Sequence, residues 1–178
     1  MPGTAGNLSV LISKGEFLIT VSGKDKGELT EDDFILVDEN GNSSSNLKPS
    51  AETLLHSAIY QNTNAGAVFH VHTTNSALLS NKNISLVFEN LEILKGLGFK
   101  THDVKINIPV IENSQDMKYL SSILPSHINS EVPVLVLKGH GIYAWGKTPN
   151  SAKNHLEIFE SLFEYRMKEI SLYSPTNI

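Results

Sequence analysis

The chain has 178 residues, of which 40% are hydrophobic, and this length and composition fit one domain with a single core. The 14 basic and 19 acidic residues give a formal net charge of −5, and their scattered positions argue against a nucleic-acid-binding surface. There is no cysteine, so disulfides and thiolate metal sites are excluded, and any metal ion must use histidine and carboxylate ligands.

In the first half of the chain, short apolar runs alternate with glycine-containing turns. The turn Lys14-Gly15-Glu16 joins the first two runs as a hairpin, and Ser50 is suited to cap a helix that ends near Asn62. The run that begins at Ala67 is of the buried type, which is typical of a central strand. In chain order, the predicted elements are strands at 8–13, 17–22 and 34–38, a helix at 50–62, a strand at 67–73 and a short helix after it.

The second half continues the alternation and ends in a long helix. Thr148 followed by Pro149 predicts the start of this helix, and its apolar stripe is interpreted as a packing surface. The predicted elements are a strand at 84–88, a helix at 89–97, a strand at 104–111, a helix at 114–124, strands at 132–138 and 142–145, and a helix at 148–172. Interleaved strands and helices without a linker predict one α/β domain over residues 1–178, with a mixed or antiparallel sheet.

Two histidines, His70 and His72, stand two positions apart in the predicted strand 67–73. Side chains alternate across a strand, so both imidazoles lie on one face with Cα atoms about 6.5–7 Å apart. That spacing lets both rings reach one metal ion. By itself the pair is also compatible with two histidines that bind no metal.

A third histidine, His140, lies in the turn Gly139-His140-Gly141 at the end of a strictly apolar strand. The glycines let the backbone bend sharply and leave space for a bound group. Three protein ligands with one open position are typical of a catalytic zinc site. The three histidines together therefore favour a metal centre, although His140 alone is better explained as a turn residue.

Two carboxylates are candidates for proton transfer, Glu52 and Glu92. Glu52 lies in the first turn of the predicted helix 50–62, where a negative charge is favourable in any protein. Glu92 lies one turn from Glu89 in the predicted helix 89–97, a spacing that also fits a solvent-exposed face. The residue pattern does not choose between them.

Three segments could bind an anion through backbone amides and hydroxyl groups. They are the loop 3–7, the loop 22–24 and the helix start at Ser50. Clustered N–H groups and helix N-termini bind phosphate even in an acidic protein. Each segment is equally compatible with ordinary turn chemistry.

Four motifs in this order and spacing resemble the class II aldolase superfamily: Gly3-Thr4-Ala5-Gly6-Asn7-Leu8-Ser9, Pro49-Ser50-Ala51-Glu52, His70-Val71-His72 and Gly139-His140-Gly141. Within the superfamily, the chain resembles the methylthioribulose-1-phosphate dehydratase family. The segments that carry this resemblance are 20–26, 48–56, 92–98 and 108–113. The similarity covers nearly the whole chain.

The resemblance implies a three-layer αβα domain around a mixed, mostly antiparallel sheet, and a homotetramer with active sites near subunit boundaries. It implies one zinc ion per subunit, held by His70, His72 and His140. It implies that Glu92 is the acid/base of the dehydratases and that Glu52 matches the acid/base of the sugar-phosphate aldolases. The positions that it assigns to the substrate phosphate are Thr4, Gly6, Asn7, Ser22, Gly23 and Ser50.

The implied reaction is the dehydration of 5-methylthioribulose 1-phosphate to 2,3-diketo-5-methylthiopentyl 1-phosphate in methionine salvage. Two rivals remain open: aldol cleavage or epimerisation of a related sugar phosphate at the same centre, and a non-catalytic scaffold of the adducin type. Loss of the histidine ligands would be expected in a scaffold, and all three are present.

Two further expectations concern the ends and the location of the chain. Relatives carry an additional helical segment before the loop at 3–7, so we expect this chain to lack an N-terminal helical segment. No apolar run approaches the ~20 residues of a membrane span. The first ten residues also lack the pattern of a secretory signal peptide, so we expect a cytoplasmic protein without a membrane partner.

Overall fold

The computed structural model describes residues 5–82 and 85–173, and these residues form eight strands and four α-helices. The strands are β1 (Asn7–Ser13), β2 (Glu16–Thr20), β3 (Phe34–Asp38), β4 (Ala67–Val71), β5 (Ser85–Glu89), β6 (Lys105–Ile111), β7 (Val134–Leu137) and β8 (Gly141–Gly146). The helices are α1 (Thr53–Asn62), α2 (Thr74–Lys82), α3 (Met117–Ile123) and α4 (Pro149–Tyr173). Short 3-10 helices lie at Glu31–Asp33, Glu92–Leu97 and Leu124–His127.

All eight strands belong to one sheet, in the order β3-β2-β1-β4-β8-β7-β6-β5. Among the described strands, β6 and β7 are parallel and the other neighbouring pairs are antiparallel. The hairpin predicted at Lys14–Glu16 joins β1 to β2. The prediction of a mixed, mostly antiparallel sheet is therefore confirmed.

The helices cover both faces of the sheet, which gives the three layers expected for the αβα architecture. On one face, α2 and α4 bury apolar side chains against the sheet, among them Leu79, Phe159 and Phe163. On the other face, α1 and α3 do the same through residues such as Leu55 and Leu120. Since successive strand residues point to opposite faces, each central strand contributes to both layers of core.

The strand that carries the first histidine pair is central. β4 lies between β1 and β8, so its backbone is hydrogen-bonded on both edges. Val68 belongs to the core on the α1 and α3 face, and His70, two residues later, points to that same face. A polar ring is thereby aimed at the N-terminal end of α1, which carries Glu52.

Two local predictions were wrong. The segment 89–97 is not an α-helix: β5 extends to Glu89, Asn90 adopts a left-handed conformation with φ of 58°, and only a 3-10 helix follows. Ser50 does not cap α1, because the helix begins at Thr53 with Glu52 at the cap position. The Ser50 amide instead bonds the carbonyl oxygen of Thr20, so this turn is attached to β2.

The long helix α4 begins at Pro149, as the Thr-Pro pair predicts. Among the helices of residues 5–82 and 85–173, none combines the length and the apolar character needed to cross a bilayer.

Candidate metal centre and substrate cavity

His70 is held by its strand neighbours on both sides. The register of the sheet sets it opposite Asn7 on β1 and opposite Tyr143 on β8. The ring is fully buried and stacks on Tyr143, with centroids 4.0 Å apart and planes 18° apart. Its Nδ1 atom lies 3.0 Å from the carbonyl oxygen of Ile142. Since a carbonyl only accepts, Nδ1 carries the proton and Nε2 presents a lone pair.

His72 and His140 bring two more Nε2 atoms to that lone pair. His72 follows the end of β4, and its Nε2 lies 2.8 Å from Nε2 of His70 and 2.8 Å from Nε2 of His140. Gly141 makes this approach possible. A Cβ at position 141 would stand 2.4 Å from the carbonyl oxygen of Val71 and 3.0–3.1 Å from the rings of His70 and His72.

A carboxylate closes the group from the side of α1. Glu52 Oε2 lies 3.2 Å from Nε2 of His70, and Glu52 Oε1 lies 3.3 Å from Nε2 of His140. Glu52 is only 8% exposed, so its charge has little contact with water. Together the four residues offer ligand atoms that all lie within 4.8 Å of one another.

The protonation of the histidines fits a divalent cation. Burial lowers the pKa of His70 well below its usual value, and any charge on His72, His140 or His56 lowers it further. Burial also lowers the pKa of His72. Neutral imidazoles keep their lone pairs. A proton shared between two Nε2 atoms would leave the third lone pair without a partner, whereas one cation can accept all three lone pairs. The donor set therefore fits a divalent metal site with three imidazoles and a nearby carboxylate.

Beside this group lies a cavity of about 500 Å³ that contains most of the predicted anion-binding positions. Glu52, His72 and His140 form part of its wall. The predicted substrate-binding residues that line it are Gly6, Asn7, Ser22, Gly23 and Ser50. The loop 22–24 and the turn at Ser50 meet here because an isolated β-bridge pairs Val21 with Pro49. The sixth predicted position, Thr4, lies outside the described residues.

Glu92 lies away from the cavity of its own chain. Its side chain is 72% exposed and is paired with Lys95, whose ammonium lies 2.7 Å from Oε1. The Lys95 ammonium is also the main cause that holds the pKa of Glu92 below its usual value, so the carboxylate is ionised. His102 lies 3.6 Å from Oε2. Of the two candidate carboxylates, only Glu52 lines the cavity within one subunit.

Sequence reasoning missed several residues at this site. Lys26, Gln115 and Met117 also line the cavity, and Lys26 is the basic side chain among its described lining residues. Lys26 stands two positions after the predicted loop 22–24. A positive charge so close to a predicted anion-binding loop was the signal that could have identified it. His56 is fully buried behind Glu52, and its i, i+4 spacing from Glu52 on one helix was the signal for it.

Comparison with known protein families agrees with the geometry. The model of the class II aldolase and adducin N-terminal domain family matches residues 1–167 of this chain. The resemblance indicated by the four motifs is thereby confirmed.

Individual relatives give a finer comparison. A methylthioribulose-1-phosphate dehydratase from Bacillus cytotoxicus is 42% identical over 176 residues, which cover 96% of this chain and 83% of that protein. The bifunctional enzyme MtnB/MtnX from Bacillus licheniformis is 42% identical over 175 residues, 94% of this chain, but the chain spans only 41% of that relative. A solved L-fuculose 1-phosphate aldolase has a TM-score of 0.79 and 25% identity, and covers 100% of this chain and 82% of the other.

Proposed function

Because the chain belongs to the class II aldolase and adducin N-terminal domain family, we propose that it dehydrates 5-methylthioribulose 1-phosphate to 2,3-diketo-5-methylthiopentyl 1-phosphate in methionine salvage. The observation that carries this proposal is the 42% identity, over 96% of the chain, to a methylthioribulose-1-phosphate dehydratase. The geometry supports it, since residues that fit a divalent metal site adjoin a cavity lined by most of the predicted anion-binding positions.

Zinc is the proposed metal, held by His70, His72 and His140. When bound, it would act as a Lewis acid that polarises oxygen atoms of the substrate. The bond between His70 Nδ1 and the Ile142 carbonyl fixes the tautomer of His70, so that its Nε2 faces the site. Glu52 faces two of the ligands from the cavity side, and we assign to it the orientation of this centre.

The loops that line the cavity would hold the phosphate. Gly6, Ser22, Gly23 and Ser50 offer amides and hydroxyls there, and Lys26 adds a positive charge. A phosphate fixed by these loops would orient the substrate carbons relative to the histidines, so that the reacting atoms meet in one geometry.

The Lys26 contribution can be measured by a single substitution. We expect Lys26→Met to raise the KM for the phosphorylated substrate about tenfold, with little change in kcat, because one charge-assisted hydrogen bond would be lost. Lys24→Met is the matched control, since Lys24 is paired with Asp33 at 2.9 Å and does not line the cavity. Steady-state kinetics of both variants measure the difference. Equal KM values for the two variants would mean that Lys26 does not contribute to substrate binding.

Glu92 is the proposed acid/base, which takes the proton from C3 and then protonates the departing C4 hydroxyl. Because Glu92 is exposed and does not line the cavity of its own chain, we propose that it reaches the substrate of a neighbouring subunit. This fits a homotetramer with sites at subunit boundaries, which is also proposed here. The bond with Lys95 lowers the pKa of Glu92 and keeps the carboxylate ionised, which suits a group that must first accept a proton.

Mixed oligomers test whether Glu92 acts across a boundary. Glu92→Gln and His72→Ala would each be inactive alone. If the two residues act from different subunits, unfolding and refolding the variants together at a 1:1 ratio should restore about a quarter of the wild-type rate, since one pairing in four is intact at each site. Activity that stays at the level of the single variants would mean that both residues serve the same subunit.

The alternative is aldol cleavage or epimerisation of a sugar phosphate at the same centre, which the likeness to L-fuculose 1-phosphate aldolase favours. Side-by-side rates on 5-methylthioribulose 1-phosphate and L-fuculose 1-phosphate distinguish the two. We expect turnover of the first substrate, and preferential turnover of the second would overturn the proposal. A cytoplasmic location remains a prediction.

A further inference from the structure

A chain of buried hydrogen bonds runs from Glu52 away from the cavity, and we call it the Glu52 relay. Asn7 Nδ2 lies 2.6 Å from Glu52 Oε2, and Asn7 Oδ1 contacts His56 Nε2. His56 Nδ1 lies 2.6 Å from Ser9 Oγ, which lies 2.7 Å from the hydroxyl of Tyr60. Asn7, Ser9 and His56 are each at most 4% exposed.

The chemistry of these groups fixes the direction of each bond. The Glu52 carboxylate accepts, so the Asn7 amide must turn its NH2 group toward Glu52 and its oxygen toward His56. An amide oxygen only accepts, so His56 carries its proton on Nε2. His56 Nδ1 then accepts from the Ser9 hydroxyl, and Ser9 in turn accepts from Tyr60. Burial lowers the pKa of His56 to about 3, which keeps the ring neutral.

The reverse arrangement is unfavourable. With the His56 proton on Nδ1, Asn7 would turn its NH2 group to His56 and its oxygen toward Glu52 Oε2, 2.6 Å away. Two acceptors at that distance repel each other unless Glu52 is protonated. The tautomer of His56 therefore reports how Asn7 is turned and whether Glu52 acts as an acceptor.

We propose that His56 and Asn7 are positioning residues that hold the Glu52 carboxylate against the histidine cluster. The kinetic test of this inference rests on the proposed function, whereas the tautomer test does not. Positioning is a second role for Asn7, added to the one that family resemblance implies, since Asn7 also lines the cavity. The His56 side chain does not itself line the cavity and acts through its contact with Asn7.

Turnover kinetics separate a positioning role from a phosphate contact. In His56→Leu, Asn7 loses its donor and can turn freely, so kcat should fall about 10- to 100-fold while KM stays near the wild-type value. His56→Gln still offers an N–H group near the Nε2 position and should keep most of the turnover. Asn7→Ala should follow His56→Leu. An unchanged kcat in Asn7→Ala, with or without a raised KM, would show that Asn7 does not position Glu52 and would overturn the inference.

Tautomer measurement tests the same inference without any substrate. In wild-type protein with 15N-labelled histidine, long-range proton–nitrogen spectra should give His56 as the neutral tautomer protonated on Nε2. Protonation on Nδ1 would contradict the relay. If the wild-type protein does not turn over 5-methylthioribulose 1-phosphate, the proposed function fails, but this spectrum still decides the relay.

Metal content and thermal unfolding of each variant complete the test. His56→Leu removes one buried ring, so its melting temperature is compared with that of His56→Gln. An equal kcat loss in His56→Leu and His56→Gln would mean that the N–H group near the Nε2 position does not support turnover, which overturns the positioning role.

Discussion

Replacement of His72 by alanine is expected to remove the bound metal and to lower turnover about a thousandfold or more, because several kcal/mol of transition-state stabilisation would go with the ion. His72 is the best of the three ligands to change. It lies only partly buried after the end of β4, whereas His70 is fully enclosed by the sheet and would leave a hole in the core. Metal analysis after dialysis, together with initial rates, measures both effects.

His127→Ala is the control for this change. His127 lies in a 3-10 helix and bonds the Ile123 carbonyl, away from the cavity, so metal content and rate should match those of the wild-type protein. A His72→Ala protein that still binds one metal ion per subunit with unchanged affinity would contradict the assigned ligand set.

Replacement of Glu92 by glutamine is expected to lower kcat between about 10²- and 10⁴-fold while metal content stays intact, because the proton acceptor is lost but no ligand is changed. The matched control is Glu89→Gln. Glu89 ends β5 three positions earlier, is exposed and pairs with Lys105 at 3.1 Å. Steady-state kinetics and metal analysis of the two variants separate a reacting carboxylate from a surface charge.

The opposite result also has a clear meaning. If Glu92→Gln keeps a near-normal rate and Glu52→Gln is inactive with its metal retained, proton transfer belongs to Glu52, the carboxylate that already lines the cavity. The sequence left these two residues unresolved.

The histidine cluster was predictable because each of its parts is encoded in a short stretch of sequence. A His-x-His pair in a strand sets both rings on one face wherever the strand lies, and a Gly-His-Gly turn leaves room for a third ring. Only the structure shows that β4 and the turn before β8 are adjacent, which brings Nε2 of His140 within 2.8 Å of Nε2 of His72.

The relay behind Glu52 was not predictable in the same way. Its bonds join residues 45 to 51 positions apart, and each residue taken alone looks like an ordinary buried polar group. The helix predicted at 89–97 failed for a different reason. Leu91, Leu94 and Leu97 satisfy a helical spacing, but the strand before them runs on to Glu89, and the left-handed Asn90 redirects the chain.

The catalytic role proposed for Glu92 could not be deduced from the structure of one chain. Its charge, exposure and pairing with Lys95 are those of a surface residue, and the proposed role requires a second subunit to bring it to the cavity. Family resemblance identified Glu92 as a candidate. The structure of the single chain adds the condition that Glu92 must lie next to the cavity of another subunit.

The most direct test of the central claim is the mass of the products after zinc-loaded protein is incubated with 5-methylthioribulose 1-phosphate. We expect one product that has lost one molecule of water and kept every carbon atom of the substrate. Two smaller carbon fragments would identify aldol cleavage, and a product of unchanged mass would identify epimerisation; either result would contradict the assignment as a dehydratase.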